Sequence, residues 1–199
     1  GLSNVGFRIS SAADRFYTRF VDSVFAAGGH KKYAVARSQE PRIDKALVEA
    51  EAKVTDLGVV TLGRLSGEGV DRKEEGYFPL TDNEKELLGA VCSAYHALGK
   101  KVVVVLNIGG VIETASWKEL PDAILLSWQT GQQGGAAVAE LLRGTVNPSG
   151  KLPVSYPVSY ADVPSSKSFP GIPADLPVNS YYNEGVYVGY RYYTTYDVP

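Results

Sequence analysis

The sequence predicts an α/β fold: a mostly parallel sheet with helices on both faces, an α/β sandwich, followed by an irregular Pro/Tyr-rich C-terminal segment. Three observations carry this. Residues 57–62, 102–106 and 123–128 are apolar runs of strand length, and 102–106 is almost entirely Val, as in strands buried on both faces. Helical patterns or long loops separate them, so the strands should be parallel neighbours joined by crossovers. Sites in such sheets form at loops beyond the carboxyl ends of the strands.

The elements follow in order. Ser10 or Ser11 can cap a helix whose apolar stripe includes Phe16, Phe20, Val21 and Val24, with Gly28-Gly29 as its stop. A second helix is expected to open at Pro41, whose missing N–H costs nothing in a first turn, and to run to about Lys53. The strand at 57–62 leads into a loop over 63–80. Thr81 and Glu84 have the spacing of a capping box, which opens a helix through Leu87, Leu88, Val91 and Tyr95 and ends at Gly99. After the strands at 102–106 and 123–128, a helix is expected over 132–142, with Gly144 behind it. The alternating aromatic stretch 186–194 reads as a late strand, and 161–179 as a surface loop.

Composition narrows the function. With 199 residues, 44% hydrophobic and 21% charged, the chain is long enough to bury roughly 70% of its unfolded surface without staples. Net charge is −2 with no basic stripe, which argues against nucleic acid as a partner. Cys92 is the lone cysteine, so neither an intrachain disulfide nor a cysteine metal cluster is expected. His30 and His96 are far apart in sequence and read as ordinary surface or helix residues. No stretch reads as a signal peptide or as a membrane span, so no membrane partner is expected and the compartment stays unknown. Neither a cofactor nor a metal is expected.

Chemistry concentrates in one loop. Glu68 lies between Gly67 and Gly69, close to Asp71 and Arg72, beyond a strand. Flanking glycines let a substrate approach the backbone closely. A carboxyl group acting as a general acid near neutral pH needs a raised pKa; Asp71 would raise it and Arg72 would lower it. The residues alone leave two roles open: a general acid, or a solvated loop glutamate beside a local Asp71–Arg72 ion pair. Other patterns fail. Residues 144–151 resemble a phosphate-binding loop but have one residue too many between the glycines, Leu152 where a hydroxyl is required, and a helix in front. Asn107-Ile108-Gly109-Gly110 lacks the third glycine of a dinucleotide loop, and Ser66 is one position late for a nucleophile elbow. Trp117 and Trp128 read as core rather than as sugar-stacking platforms.

Three segments together resemble a known family: Arg64-Leu65-Ser66-Gly67-Glu68-Gly69-Val70-Asp71-Arg72, Trp128-Gln129-Thr130-Gly131-Gln132, and Asn147-Pro148-Ser149-Gly150-Lys151-Leu152-Pro153. In that order and spacing they are similar to the second domain of glycoside hydrolase family 3, the β-glucosidase and β-xylosidase family. Glu184-Gly185-Val186-Tyr187-Val188-Gly189-Tyr190-Arg191 resembles the close of that domain. The resemblance is strong over 59–194, while 1–55 is helical and weakly matched. It implies a single α/β sandwich domain over 1–199, with the catalytic barrel absent. It implies that Glu68, in Ser-Gly-Glu-Gly, is the acid/base of a retaining hydrolase acting on a β-linked glucoside or oligosaccharide. The nucleophilic carboxylate would come from a barrel domain or chain, and the substrate-binding residues in this chain are unknown. The surface around Glu68 should then carry bare apolar groups, and a homodimer through it is a further expectation. The alternative role is a non-catalytic carbohydrate-binding or domain-interface module.

Overall fold

The structure, a computed structural model, describes residues 2–28, 40–64, 72–173, 176 and 178–199. Its one sheet among the described residues is parallel with strand order β1-β2-β3: β1 Leu57–Gly63, β2 Lys101–Asn107 and β3 Ala123–Leu126. The architecture is the expected α/β sandwich.

Pairing register explains the burial. Gly58, Val60 and Leu62 stand opposite Val102, Val104 and Leu106, so one sheet face carries all six. The five side chains among them are 0–4% exposed. Helix α3, Asp82–His96, packs on β1 and β2 through Leu87, Leu88, Val91 and Tyr95, its i, i+1, i+4, i+8 apolar stripe. Gly58 is what lets the helix approach, because a Cβ there would lie 3.1 Å from Val91 and 3.2 Å from Val102. The Thr81–Glu84 capping box forms as the spacing predicts, and Gly99, at φ +68°, ends the helical segment.

Helix α1, Ser11–Ala26, is capped by Ser10, whose hydroxyl accepts the Ala12 N–H at 3.2 Å. Helix α2 spans Lys45–Val54 rather than opening at Pro41. The carboxylate of Asp44 accepts the Ala46 N–H at 2.9 Å, and this side-chain cap outcompetes the preference of proline for a first turn. The extended stretch before it inserts Ile43, 8% exposed, into the core. Helix α4, Gly134–Arg143, ends at Gly144 in the left-handed conformation.

Two further expectations are corrected. β3 stops at Leu126, two residues early, and its first residues, Ala123 and Ile124, are exposed rather than buried on both faces. Trp128 takes φ +54°, which turns the chain out of the strand, although Ser127 still donates its N–H to Leu106 O at 3.0 Å. Residues 186–194 are not a strand. Gly189 at φ +59° breaks the alternation, and Tyr190–Tyr196 forms a short helix, α5. No strand among the described residues offers this stretch a ladder, whereas a helix brings Tyr192 and Tyr196, at i and i+4, to 5.1 Å between ring centroids.

Contacts divide the chain into two compact units. One comprises Gly1–Leu65, Thr81–Gly109 and Glu119–Ser149 and holds the sheet with α1 to α4. The other comprises Ser66–Leu80, Gly110–Lys118 and Gly150–Pro199. In it Trp117, 3% exposed, donates its indole N–H to Glu113 O at 2.7 Å, Phe78 meets Tyr160 edge to face, and Phe78 O accepts the Glu113 N–H at 2.9 Å. Trp117 is therefore core, as its position suggests.

Candidate functional site

Parallel strands present their carboxyl ends to one edge of the sheet, and the residues that follow them are placed there by the register. Arg64 follows β1, Ile108 follows β2 and Ser127 follows β3. The backbone ties them together: Arg64 N–H donates to Asn107 O at 3.1 Å, and both the N–H and the hydroxyl of Ser127 donate to Leu106 O, the latter at 2.9 Å. The chain leaves this edge at Arg64 toward the Ser-Gly-Glu-Gly motif. Glu68 and Asp71, together with the expected Asp71–Arg72 ion pair, lie outside the described residues.

The side chains flanking the motif have marked environments. Arg64 is buried, with 1% of its side chain exposed, and so is Glu84, at 8%. The guanidinium donates from Nη1 to Glu84 Oε1 at 2.6 Å and from Nη2 to Oε2 at 2.8 Å, a two-pronged pair, and Nη1 also donates to Gly63 O at 2.8 Å. Glu84 Oε2 accepts the Thr81 N–H at 2.7 Å and the Thr81 hydroxyl at 3.1 Å. Burial pushes the Glu84 carboxyl up, but the hydrogen bonds from Arg64 and Thr81 outweigh it, so the group is held below its ordinary value. Sequence reasoning quoted Arg64 in the motif and Glu84 in the capping box without joining them. The available signal was an arginine directly after an apolar strand, a position that buries charge only with a partner.

A second pair escaped sequence reasoning. Tyr17 OH donates to Glu40 Oε1 at 2.6 Å. Burial, the bond to Glu40 and the charge of Glu40 all push the Tyr17 hydroxyl up. Burial also raises Glu40, against the lowering effect of that hydrogen bond and with a further push from the charge of Glu84. The two lie 23 residues apart in sequence, a separation no local pattern reports.

In the other unit, the guanidinium of Arg72 lies across Gly110, where a Cβ would overlap it, and Nη1 is buried with no hydrogen-bond partner. Gly110 thus makes room for Arg72 rather than serving a nucleotide loop. Another ionic cluster lies at the far end of the sheet, where β2 begins. Asp122 accepts Lys101 Nζ at 2.7 Å, the Val102 N–H at 2.8 Å and the His96 ring at 2.9 Å. The bond from Lys101, then those from Val102 and His96, hold its carboxyl far below the ordinary range. His96 is thus a hydrogen-bond partner of Asp122 at a helix end, remote along the strands from the Arg64 edge. Cys92 is buried in α3, and burial pushes its thiol up to about 11, so it is not a nucleophile near neutral pH. Among the described residues no group of three or more His, Cys, Asp or Glu could hold a metal ion, and no helix is long and apolar enough to cross a membrane.

Comparison with known proteins shows the family. The family described as "Glycosyl hydrolase family 3 C-terminal domain" matches residues 9–190. A β-glucosidase of Ruminococcus albus is 36% identical over 160 residues, covering 79% of this chain and 16% of that protein. An exo-α-(1→6)-L-arabinopyranosidase of Bifidobacterium breve is 36% identical over 192 residues, covering 95% of this chain and 23% of that protein. Among solved structures, β-glucosidase 3B of Thermotoga neapolitana in complex with glucose superposes with a TM-score of 0.93 at 40% identity, covering 100% of this chain and 28% of that one. The chain therefore spans well under a third of the length of these relatives.

Proposed function

The chain belongs to the glycosyl hydrolase family 3 C-terminal domain family, and on that premise we propose that it is the α/β domain of a β-glucosidase-like retaining hydrolase and supplies Glu68 as the general acid/base. One observation carries the reading: the Ser-Gly-Glu-Gly motif comes three residues after β1 in the sequence, in a chain that is 40% identical over its whole length to part of a β-glucosidase.

Retaining hydrolysis needs two carboxyl groups about 5–5.5 Å apart. In the first step the Glu68 carboxyl gives its proton to the glycosidic oxygen as the bond to the anomeric carbon breaks, and the bonding pair leaves with that oxygen. A carboxylate on the barrel forms the new bond to carbon. In the second step ionised Glu68 takes a proton from water as the water oxygen bonds to the anomeric carbon and the barrel carboxylate departs. Asp71 is too near Glu68 in sequence to flank the opposite side of the sugar, and likeness to family 3 implies that the nucleophile comes from a barrel domain or chain, the proposed partner. The substrates are β-linked glucosides or oligosaccharides, by likeness to the β-glucosidases. The arabinopyranosidase relative is consistent with a domain that supplies proton transfer while other parts of the enzyme select the sugar.

The test is an aryl β-glucoside assay of a full-length protein joining this chain to its barrel, beside its Glu68→Gln variant. Loss of roughly a hundredfold or more in kcat with an unactivated leaving group, the size expected of a general acid, supports the role. Unchanged turnover in the variant removes it.

A further inference from the structure

The two tryptophans are built differently. Trp117 is 3% exposed and its indole N–H donates to Glu113 O at 2.7 Å, so packing and a hydrogen bond account for it. Trp128 is half-buried rather than core, and among the described residues its indole N–H has no hydrogen-bond partner. Its backbone is held at φ +54°, in the left-handed region that a bulky side chain rarely enters. One other non-glycine residue among those described has a positive φ, Asp197 at +50°, and it ends α5 with a side chain that tolerates the conformation.

A turn out of β3 does not account for a tryptophan. Glycine makes such a turn at lower cost, and the chain uses one, Gly144 at φ +78°, to end α4. Nor is the residue loosely placed. Ser127, immediately before it, is fixed to Leu106 O by its N–H at 3.0 Å and by its hydroxyl at 2.9 Å. The strained residue therefore starts from a rigid point just beyond the carboxyl end of β3, where parallel sheets place their binding groups. Strain kept in a bulky residue at such a position points to function rather than to folding. A large flat ring with a free N–H on its rim suits a ligand with an apolar face and hydroxyls around its edge. A β-glucosyl ring has that form, because its hydroxyls are equatorial and its axial C–H groups cover both faces.

We propose that Trp128 is a sugar-contact residue: its indole stacks on a glucosyl ring of a β-linked substrate, and its strained backbone holds it in place to do so. The class of sugar rests on the reading of the substrates as β-linked glucosides; the role of Glu68 does not enter.

The test is calorimetric titration of a full-length protein, which joins this chain to its barrel, with thio-linked cellotetraose, a β-linked probe that is not cleaved. Trp128→Gly, Trp128→Ala, Trp128→Tyr and Trp117→Phe are compared with the parent, and Tm is recorded for each. Trp128→Gly and Trp128→Ala should each weaken binding about threefold to tenfold, the scale of an aromatic contact. Trp128→Tyr keeps a ring and should stay within about twofold of the parent. Tm should separate the first two, with Trp128→Gly melting higher, because glycine relieves a left-handed backbone and alanine does not. Trp117→Phe should lower Tm and leave affinity as it was. Unchanged affinity in Trp128→Gly would overturn the proposal, as would affinities that track Tm across the variants. Trp128→Gly melting below Trp128→Ala would remove the strain and the proposal with it. No binding of the probe to the parent protein overturns the proposal together with the substrate class. Binding of thio-linked maltotetraose in its place, lost in Trp128→Gly, sinks the β-linked class alone and keeps Trp128 as a sugar contact.

Discussion

At the scale of single residues, Arg64 and Glu84 form a buried ion pair. Glu84 is desolvated, yet its carboxyl is held below the ordinary value of 4.5 because Arg64 and Thr81 bind only the ionised form fully. A group whose folded pKa is depressed stabilises the fold above its unfolded value, and that contribution drains away as pH falls through the folded value. The stability gap between the parent chain and Glu84→Gln should therefore be widest at neutral pH and should narrow below about pH 4.5, the ordinary glutamate value. At neutral pH Gln leaves the Arg64 charge buried and uncompensated, a loss of roughly 3–5 kcal/mol. Urea melts of both chains between pH 3 and 7 check this, and parallel curves would show that Glu84 is not the titrating group. Arg72 is the residue for which sequence reasoning offered an ion pair with Asp71. Its guanidinium lies against the bare backbone of Gly110, a packing that depends on the absence of a side chain 38 positions away.

At the scale of elements, α4 shows how small residues divide their tasks. The glycines before and within its first turn suggest a close approach of the helix N-terminus, and the structure assigns the need to one of them. A Cβ at Gly134 would overlap the side chain of Thr130, a β-branched residue with little freedom to move aside, whereas a Cβ at Gly135 meets nothing within 4 Å. Gly134→Ala should cost about 1–3 kcal/mol as overpacking. Gly135→Ala should be neutral or stabilise by up to about 1 kcal/mol, since alanine is the better helix former. Thermal melts of the two variants decide it, and equal effects would refute the assignment. The α3–sheet interface is the larger store of stability. Leu88 is fully buried there, and Leu88→Ala should cost roughly 2–5 kcal/mol through lost transfer energy and the cavity left behind. A chevron or equilibrium melt giving less than 1 kcal/mol would mean the site collapses around the smaller side chain.

At the scale of the whole molecule, the proposed acid/base lies in this chain, and the resemblance to family 3 implies a nucleophile on a barrel domain or chain. The chain as given should therefore show little or no hydrolysis of an aryl β-glucoside, and turnover should return when it is joined to a barrel bearing the nucleophile. Robust turnover by the pure chain, abolished in Glu68→Gln, would prove that a second carboxylate acts within these residues; Glu40, raised by burial, would then be the first to replace. Many large apolar groups are exposed in the unit that ends the chain, among them Val178 at 70% and Tyr182 at 88%. This agrees with a domain that works inside a larger enzyme.

What the sequence determined by itself was local or periodic. The Ser10 cap, the Thr81–Glu84 box, the Gly144 stop and the three parallel strands each follow from residues within a few positions, or from apolar runs of strand length. The motif likewise singles out Glu68, which remains a proposal, because spacing and residue type are sequence properties. The errors arose where two local rules competed. Pro41 suited a helix start, but the side-chain cap of Asp44 prevailed. In 186–194 an alternating pattern suited a strand, but a strand requires a neighbour, and only the assembled chain shows that none of the described strands is available. Tertiary structure alone joined Arg64 to Glu84, Tyr17 to Glu40 and Arg72 to Gly110. The reason is physical: a buried charge or polar group is stable only beside a partner, and that partner is selected by where the fold brings distant backbone together, which no window of sequence contains.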